Sequence, residues 1–246
     1  MARLTIIKTG APPARVRERR GDFHHWFAGA VGIGESDVTV VDVAQGEPLP
    51  EPISSRGVIV TGSPALLTDR KAWSVRTGLW LEEVLAADIA LLGVCYGHQL
   101  LADVLGGKVR DNPNGRQIGT IDVLLTDHGR RCALLGCLPE TAHVPASHTQ
   151  AVTELPRDAQ RLAVSSLDPN HAFAYGTRAW GVQFHPEFDA DIVRGYISAR
   201  EREIEAEGID PDALRRDARD TDHGRRLLAR FGQLLDVLGG SNGPDR

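Results

Sequence analysis

Leu92-Gly93-Val94-Cys95-Tyr96-Gly97-His98-Gln99 sets a thiol between two glycines, where a short apolar run gives way to helical spacing through Leu100, Leu101, Val104 and Leu105. A strand that breaks into a helix at Gly-x-Cys-x-Gly has the form of a nucleophile elbow with cysteine in place of serine. The glycines are needed because the turn is tight, and side chains at 93 and 97 would collide with the neighbouring strand and helix. Such a turn lifts the sulfur above the carboxyl ends of the strands, where open α/β sheets place their sites. It also sets the sulfur at a helix N-terminus, whose partial positive charge favours a thiolate.

A second constellation is Gly181-Val182-Gln183-Phe184-His185-Pro186-Glu187-Phe188. If the strand that starts at Trp180 continues through it, His185 and Glu187 project to the same side. Pro186 restricts His185 to extended backbone. A base oriented by an acid is what nucleophilic catalysis by a thiol requires. A third segment, Val58-Ile59-Val60-Thr61-Gly62-Ser63-Pro64, ends a strand in small residues whose amides could face an oxyanion, beside the N–H of Tyr96. Neither a Walker-type phosphate loop nor Gly-x-Gly-x-x-Gly follows a strand, and Gly32-Ile33-Gly34 precedes one and reads as a turn. No metal site is expected: Cys132 and Cys137 lack the close pairing of a zinc site, and His24-His25 falls at a helix start.

The elements that must hold these residues emerge from the apolar pattern. Leu4–Lys8, Val38–Val43, Gly57–Thr61 and Ile89–Val94 are continuous apolar runs, as in strands buried on both faces of a parallel sheet. Asp22–Val31 and Trp73–Ala87 have helical spacing between them, so right-handed β-α-β crossovers are expected. Beyond residue 118 come short strands at Gly119–Leu125, Thr141–Val144, Ala151–Leu155, Arg161–Ser166, Ala172–Gly176 and Trp180–Phe184. Turn formers such as Asp127-His128-Gly129 and Asp168-Pro169-Asn170 separate them, which predicts antiparallel additions. The last sixty or so residues read as helical. Asp210 is an N-cap before Pro211, and Asp212/Arg216 and Asp222/Arg226 are expected ion pairs. Leu227, Leu228, Phe231, Leu234, Leu235 and Leu238 form one apolar stripe stopped by Gly239. The fold class expected is α/β: a doubly wound, mostly parallel, flavodoxin- or Rossmann-like sheet with antiparallel strands and a C-terminal helical extension. It is read as a single domain over 1–246, with a catalytic core to about residue 190 and a helical tail over about 190–240.

The chain has 246 residues, 41% of them hydrophobic and 25% charged, which excludes a fibrous or disordered class. A formal net charge of −5 gives no reason to expect a nucleic-acid partner. An odd count of 3 cysteines suits a reducing compartment. No apolar run approaches the roughly 18 residues of a membrane span. The start is too short an apolar run for a signal peptide, so a cytoplasmic protein is expected.

Taken together, Gly-Val-Cys-Tyr-Gly-His-Gln (93–99) and Gly-Val-Gln-Phe-His-Pro-Glu (181–187), in that order, resemble the class I (triad) glutamine amidotransferases. Within them they are most like the glutaminase domain of GMP synthetase and its free-standing relatives. The resemblance implies that Cys95 attacks the carboxamide of glutamine to form a γ-glutamyl thioester. It implies that His185 handles the protons and Glu187 orients it, and that the amides of Tyr96 and of Gly62 or Ser63 hold the oxyanion. It further implies that Gln99 contacts glutamine, while Ser147-His148-Thr149 binds its α-amino and α-carboxylate groups. No cofactor is implied. Ser63 stands where the family often has glycine, a position at which φ > 0 would strain it. The substrate implied is glutamine or another γ-glutamyl amide, with ammonia passing to a synthetase partner. The alternatives are a γ-glutamyl peptidase or γ-glutamyl amide hydrolase, or a catalytically silent regulatory subunit.

Overall fold

The structure, a computed structural model, describes residues 2–239. Its strands are β1 (Leu4–Lys8), β2 (Val38–Asp42), β3 (Gly57–Val60), β4 (Ala90–Val94), β5 (Lys108–Asp111), β6 (Gln117–Leu125), β7 (Thr141–His148), β8 (Gln150–Glu154), β9 (Gln160–Ser165), β10 (Ala172–Tyr175) and β11 (Ala179–Val182). Its helices are α1 (Ala14–Arg20), α2 (Phe23–Val31), α3 (Ala72–Ala86), α4 (Tyr96–Val104), α5 (Asp127–Arg131), α6 (Ala190–Ala199), α7 (Glu201–Ala206), α8 (Pro211–Asp217) and α9 (His223–Gly239). Nine strands form one sheet in the order β2-β1-β3-β4-β11-β10-β9-β6-β7, and β5 pairs with β8 in a separate ribbon. Pairing is parallel from β2 through β11 and antiparallel from β11 through β7. The mixed sheet expected from the apolar runs is the sheet observed.

β1, β3, β4 and β11 are buried at every residue, because helices cover both faces. β2 departs from that expectation: it is the sheet edge, and Thr39 and Val40 are exposed. On one face Ile7, Val58, Val60 and Leu91 pack with Trp80, Leu81 and Val84 of α3 and Leu100 and Leu101 of α4. On the other, Ile6, Ile59, Leu92 and Trp180 pack with Phe27 and Val31 of α2 and the stripe of α9. Leu227, Leu228, Phe231 and Leu235 of that stripe are fully buried, and Phe231 meets Trp180 edge-on. α9 includes Gly239, the residue expected to stop it, as helix; residues 240–246 lie outside the described residues.

Three local expectations need correction. Asp127-His128-Gly129 is not a turn but the start of α5, capped by the Thr126 hydroxyl accepting from the Gly129 amide at 3.1 Å. Asp212 does not pair with Arg216. It takes Arg215 at 2.6 Å, while Arg216 turns back toward the capping carboxylate of Asp210 at 3.6 Å. β11 ends at Val182, so residues 183–188 are loop rather than strand. Asp210 does cap α8 ahead of Pro211, and Asp222 lies 4.0 Å from Arg226. The chemistry-bearing residues stand at the carboxyl ends of the parallel strands: Gly62 just after β3, Cys95 after β4 and His185 after β11.

Candidate active site

Cys95 joins β4 to α4 with φ 51° and ψ −101°, a left-handed backbone that a non-glycine residue adopts only when its surroundings enforce it. The surroundings are tight. A Cβ at Gly93 would lie 2.4 Å from the Gly97 carbonyl oxygen, and one at Gly97 would lie 2.3 Å from the Val60 carbonyl oxygen. Side chains at either position would push α4 off the sheet and unmake the turn. The sulfur lies 3.9 Å from the Ser147 carbonyl oxygen.

His185 and Glu187 meet for a different reason from strand alternation. The chain turns at Pro186, closed by the Phe188 amide donating to the His185 carbonyl at 3.3 Å, and the carboxylate comes round to the imidazole. His185 Nδ1 lies 2.8 Å from Glu187 Oε1, which fixes that nitrogen as the donor and leaves Nε2 for the sulfur. The turn is anchored on both sides. The His185 amide donates to the Pro145 carbonyl at 2.8 Å, and a Cβ on Gly224 of α9 would lie 2.3 Å from the Pro186 carbonyl oxygen. The ring stacks on Phe188 with centroids 4.0 Å apart, and Phe188 in turn packs on Tyr196 and Trp26.

Burial works to lower the His185 pKa, but the charges of Glu187 and Cys95 and its hydrogen bonds to both raise it to about 10. The imidazole is therefore held as a cation between carboxylate and sulfur. Gly62 completes the cluster: a Cβ there would lie 2.8 Å from His185 Cε1 and 3.6 Å from Cys95 Cβ. The Thr9 hydroxyl donates to the Gly62 carbonyl at 2.9 Å, and the Ser63 hydroxyl donates to the Thr9 carbonyl at 2.6 Å. Ser63 carries no strained backbone: among the described residues the non-glycine positions with positive φ are Arg70, Asp88 and Cys95.

Cys95 stands where two lobes of one cleft meet, with Ser63, Pro64, Ser147 and Arg200 lining both. The first lobe, about 210 Å³, also reaches Tyr96, Gln99, His148 and Thr149, so the residues expected to hold substrate are gathered here. Gln99 Nε2 donates to the Gln150 carbonyl at 2.8 Å and to Gln183 Oε1 at 3.0 Å. His148 is buried, with Nδ1 2.9 Å from the Gln150 carbonyl and Nε2 3.2 Å from Gln117 Oε1. Burial lowers its pKa to about 3, so the ring is neutral. Arg116 also lines this lobe, neutralised by two hydrogen bonds to Glu207 at 2.8 and 2.9 Å. The second lobe, about 270 Å³, lies beside His185 and is walled by Pro12, Pro13, Phe23 and Tyr196. The motifs did not reveal this lobe, because its proline and aromatic residues read as ordinary core.

One cluster of metal-ligating residue types occurs among the described residues: His148, Asp168 and His171, all buried, with ligand atoms within 4.8 Å of one another. The His148 ring is already engaged by Gln150 and Gln117, and Asp168 and His171 approach each other at 3.5 Å. That leaves no preformed set of three open ligands.

Against known proteins, residues 24–195 match the family model for glutamine amidotransferase class-I. The chain is 38% identical over 144 residues to a glutamine-hydrolysing GMP synthase of Aeropyrum pernix, covering 58% of this chain and 26% of that protein. It spans only about a quarter of the length of the first GMP synthases it matches. It is also 32% identical over 181 residues to a protein of Methanospirillum hungatei named as one subunit of a glutamine-hydrolysing GMP synthase, covering 71% of this chain and 86% of that protein. A crystal structure of a glutamine amidotransferase from Thermotoga maritima superposes with a TM-score of 0.73 at 24% identity, covering 97% of this chain and 98% of that one.

Proposed function

The chain belongs to the class-I glutamine amidotransferase family of enzymes, and from that premise we propose that it hydrolyses a γ-glutamyl amide, most simply glutamine, through Cys95, His185 and Glu187. The observation that carries this reading is the line of carboxylate, imidazolium and sulfur at the carboxyl ends of β4 and β11.

The sulfur attacks the carboxamide carbon, and negative charge develops on its oxygen. The backbone amides of Tyr96 and of Gly62 or Ser63 are assigned as the donors to that oxygen. The C–N bond breaks as the leaving nitrogen takes the proton from His185, and a γ-glutamyl thioester remains on Cys95. Water then attacks the thioester carbon and gives its proton to His185; glutamate leaves and the sulfur is restored. Glu187 holds the ring in one orientation throughout and stabilises its cationic form. Gln99, Ser147, His148 and Thr149 line the lobe assigned to the glutamyl half.

The M. hungatei relative is named as one subunit of its synthase, which supports a separate synthetase receiving the ammonia. No described helix is long and apolar enough to cross a membrane. The test is incubation with glutamine, assaying glutamate and ammonia, together with mass spectrometry after exposure to an electrophilic glutamine analogue. Glutamate release and a single adduct on Cys95 are expected. A folded protein that gives neither product nor adduct is catalytically silent.

A further inference from the structure

We propose that the lobe beside His185 is a leaving-group pocket for the amino-acid half of a γ-glutamyl derivative of an apolar amino acid, whose carboxylate Arg200 takes. This rests on the hydrolase reading above and names its substrate class.

The direction of the scissile bond is set by the proton. His185 protonates the departing nitrogen, so that nitrogen faces His185, and whatever it carries extends into the lobe that His185 lines. Ammonia needs little space; a water-sized molecule has a share of liquid volume of about 30 Å³. The lobe offers about 270 Å³.

Its walls define the guest. Pro12, Pro13 and Phe23 present apolar surface, and Tyr196 lines the lobe with them. The Arg200 guanidinium lies over that ring, 5.2 Å from its centroid. Among the described residues it meets no carboxylate, unlike Arg116 across the waist, which Glu207 neutralises. Burial, with the nearby charge of Glu187 acting the same way, keeps the Tyr196 hydroxyl protonated far above its ordinary range, so it serves as a donor. An enclosure with an apolar wall, hydroxyl-bearing residues and, in Arg200, a cation that meets no carboxylate among the described residues suits an apolar body bearing a carboxylate.

Ser63, Cys95, Ser147 and His185 fall inside residues 24–195. Ala11, Pro12, Pro13, Phe23, Tyr196 and Arg200 all fall outside it. The wall of this lobe away from the triad residues is thus contributed by residues outside the matched span. The step balances without another co-reactant: the C–N bond breaks, the free amino acid leaves with the His185 proton, and water later cleaves the thioester.

The experiment compares kcat/KM of the full chain for glutamine, γ-glutamyl-leucine, γ-glutamyl-isoamylamide (the same amine without its carboxylate) and ε-(γ-glutamyl)-lysine. Expected is γ-glutamyl-leucine at least tenfold above glutamine, the isoamylamide between them, and the lysine isopeptide below γ-glutamyl-leucine. Arg200→Gln, with an unchanged melting temperature, should cut the γ-glutamyl-leucine to isoamylamide ratio about tenfold, and Arg200→Lys should restore part of it. Turnover of glutamine with none of the larger amides overturns the inference and leaves the hydrolase reading intact. An unchanged ratio in Arg200→Gln also overturns it. Turnover of none of the four overturns both.

Discussion

Buried histidines occupy two regions of this molecule and take opposite charge states. At the turn after β11, His185 is almost fully buried, yet it is held as a cation up to a pKa of about 10. Beneath the elbow, His98 is equally buried against Phe173 and Gly181, and burial drives its pKa down to about 4. No carboxylate bonds either ring nitrogen of His98. What separates the two is one carboxylate at 2.8 Å and an adjacent sulfur. Asp168 favours the charged form of His98, but His171 opposes it and desolvation wins. Burial alone makes an imidazole inert; burial with a bonded acid makes it a reagent.

Removing the sulfur breaks that contrast most severely. Cys95→Ala should lower kcat for glutamine by about 10⁴-fold or more while far-ultraviolet circular dichroism stays native. Next is Glu187→Gln, which preserves shape and removes the charge. A loss of about 10²–10⁴-fold is expected, read as ammonia release. The same variant tests the sign of the His185 shift. A raised folded pKa stabilises the fold fully below the unfolded value near 6.5 and loses that contribution as pH rises through about 10. Wild-type melting temperatures should therefore carry a component that falls between those limits, and Glu187→Gln should flatten it.

The neutral region has the opposite sign. His98 is lowered, so the unfolded chain binds a proton that the folded chain refuses, and stability is lost as pH falls from about 6.5 to about 4. His98→Gln should remove on the order of 3 kcal/mol of that acid sensitivity, measured as the difference between urea midpoints at pH 7 and pH 4. An equally steep acid slope in the variant would refute the assignment. The smallest effect is remote from both rings. The Asp189 carboxylate accepts from the Ile192 amide at 2.9 Å and caps α6, which carries Tyr196 and leads into Arg200. Asp189→Ala should cost about 1 kcal/mol, a fall in melting temperature of about 2–4 °C.

Much of this is legible in the sequence. The buried runs at β1, β3 and β4 are long enough and apolar enough to have no other reading, and two glycines around Cys95 mark a junction that only a tight turn explains. The partnership of His185 with Glu187 is legible for the wrong reason: alternation predicts it on a strand, whereas a turn at Pro186 makes it. α1 is not legible, since Ala14–Arg20 is mostly charged and buries only Val16. The second lobe is not either. Pro12, Phe23 and Arg200 lie far apart in the chain, and nothing in their types distinguishes a pocket wall from a core contact. Asp168 and His148 likewise come together only through long-range strand pairing.

The close seating of α9 on the turn at Pro186 bears on the order in which the proposed site is assembled. Gly224 rests against the Pro186 carbonyl, so the turn that carries His185 is propped by a helix synthesised after it. A nascent chain on the ribosome can complete the elbow while its imidazole still lacks that buttress. On the proposed mechanism, activity awaits the docking of α9 against Pro186.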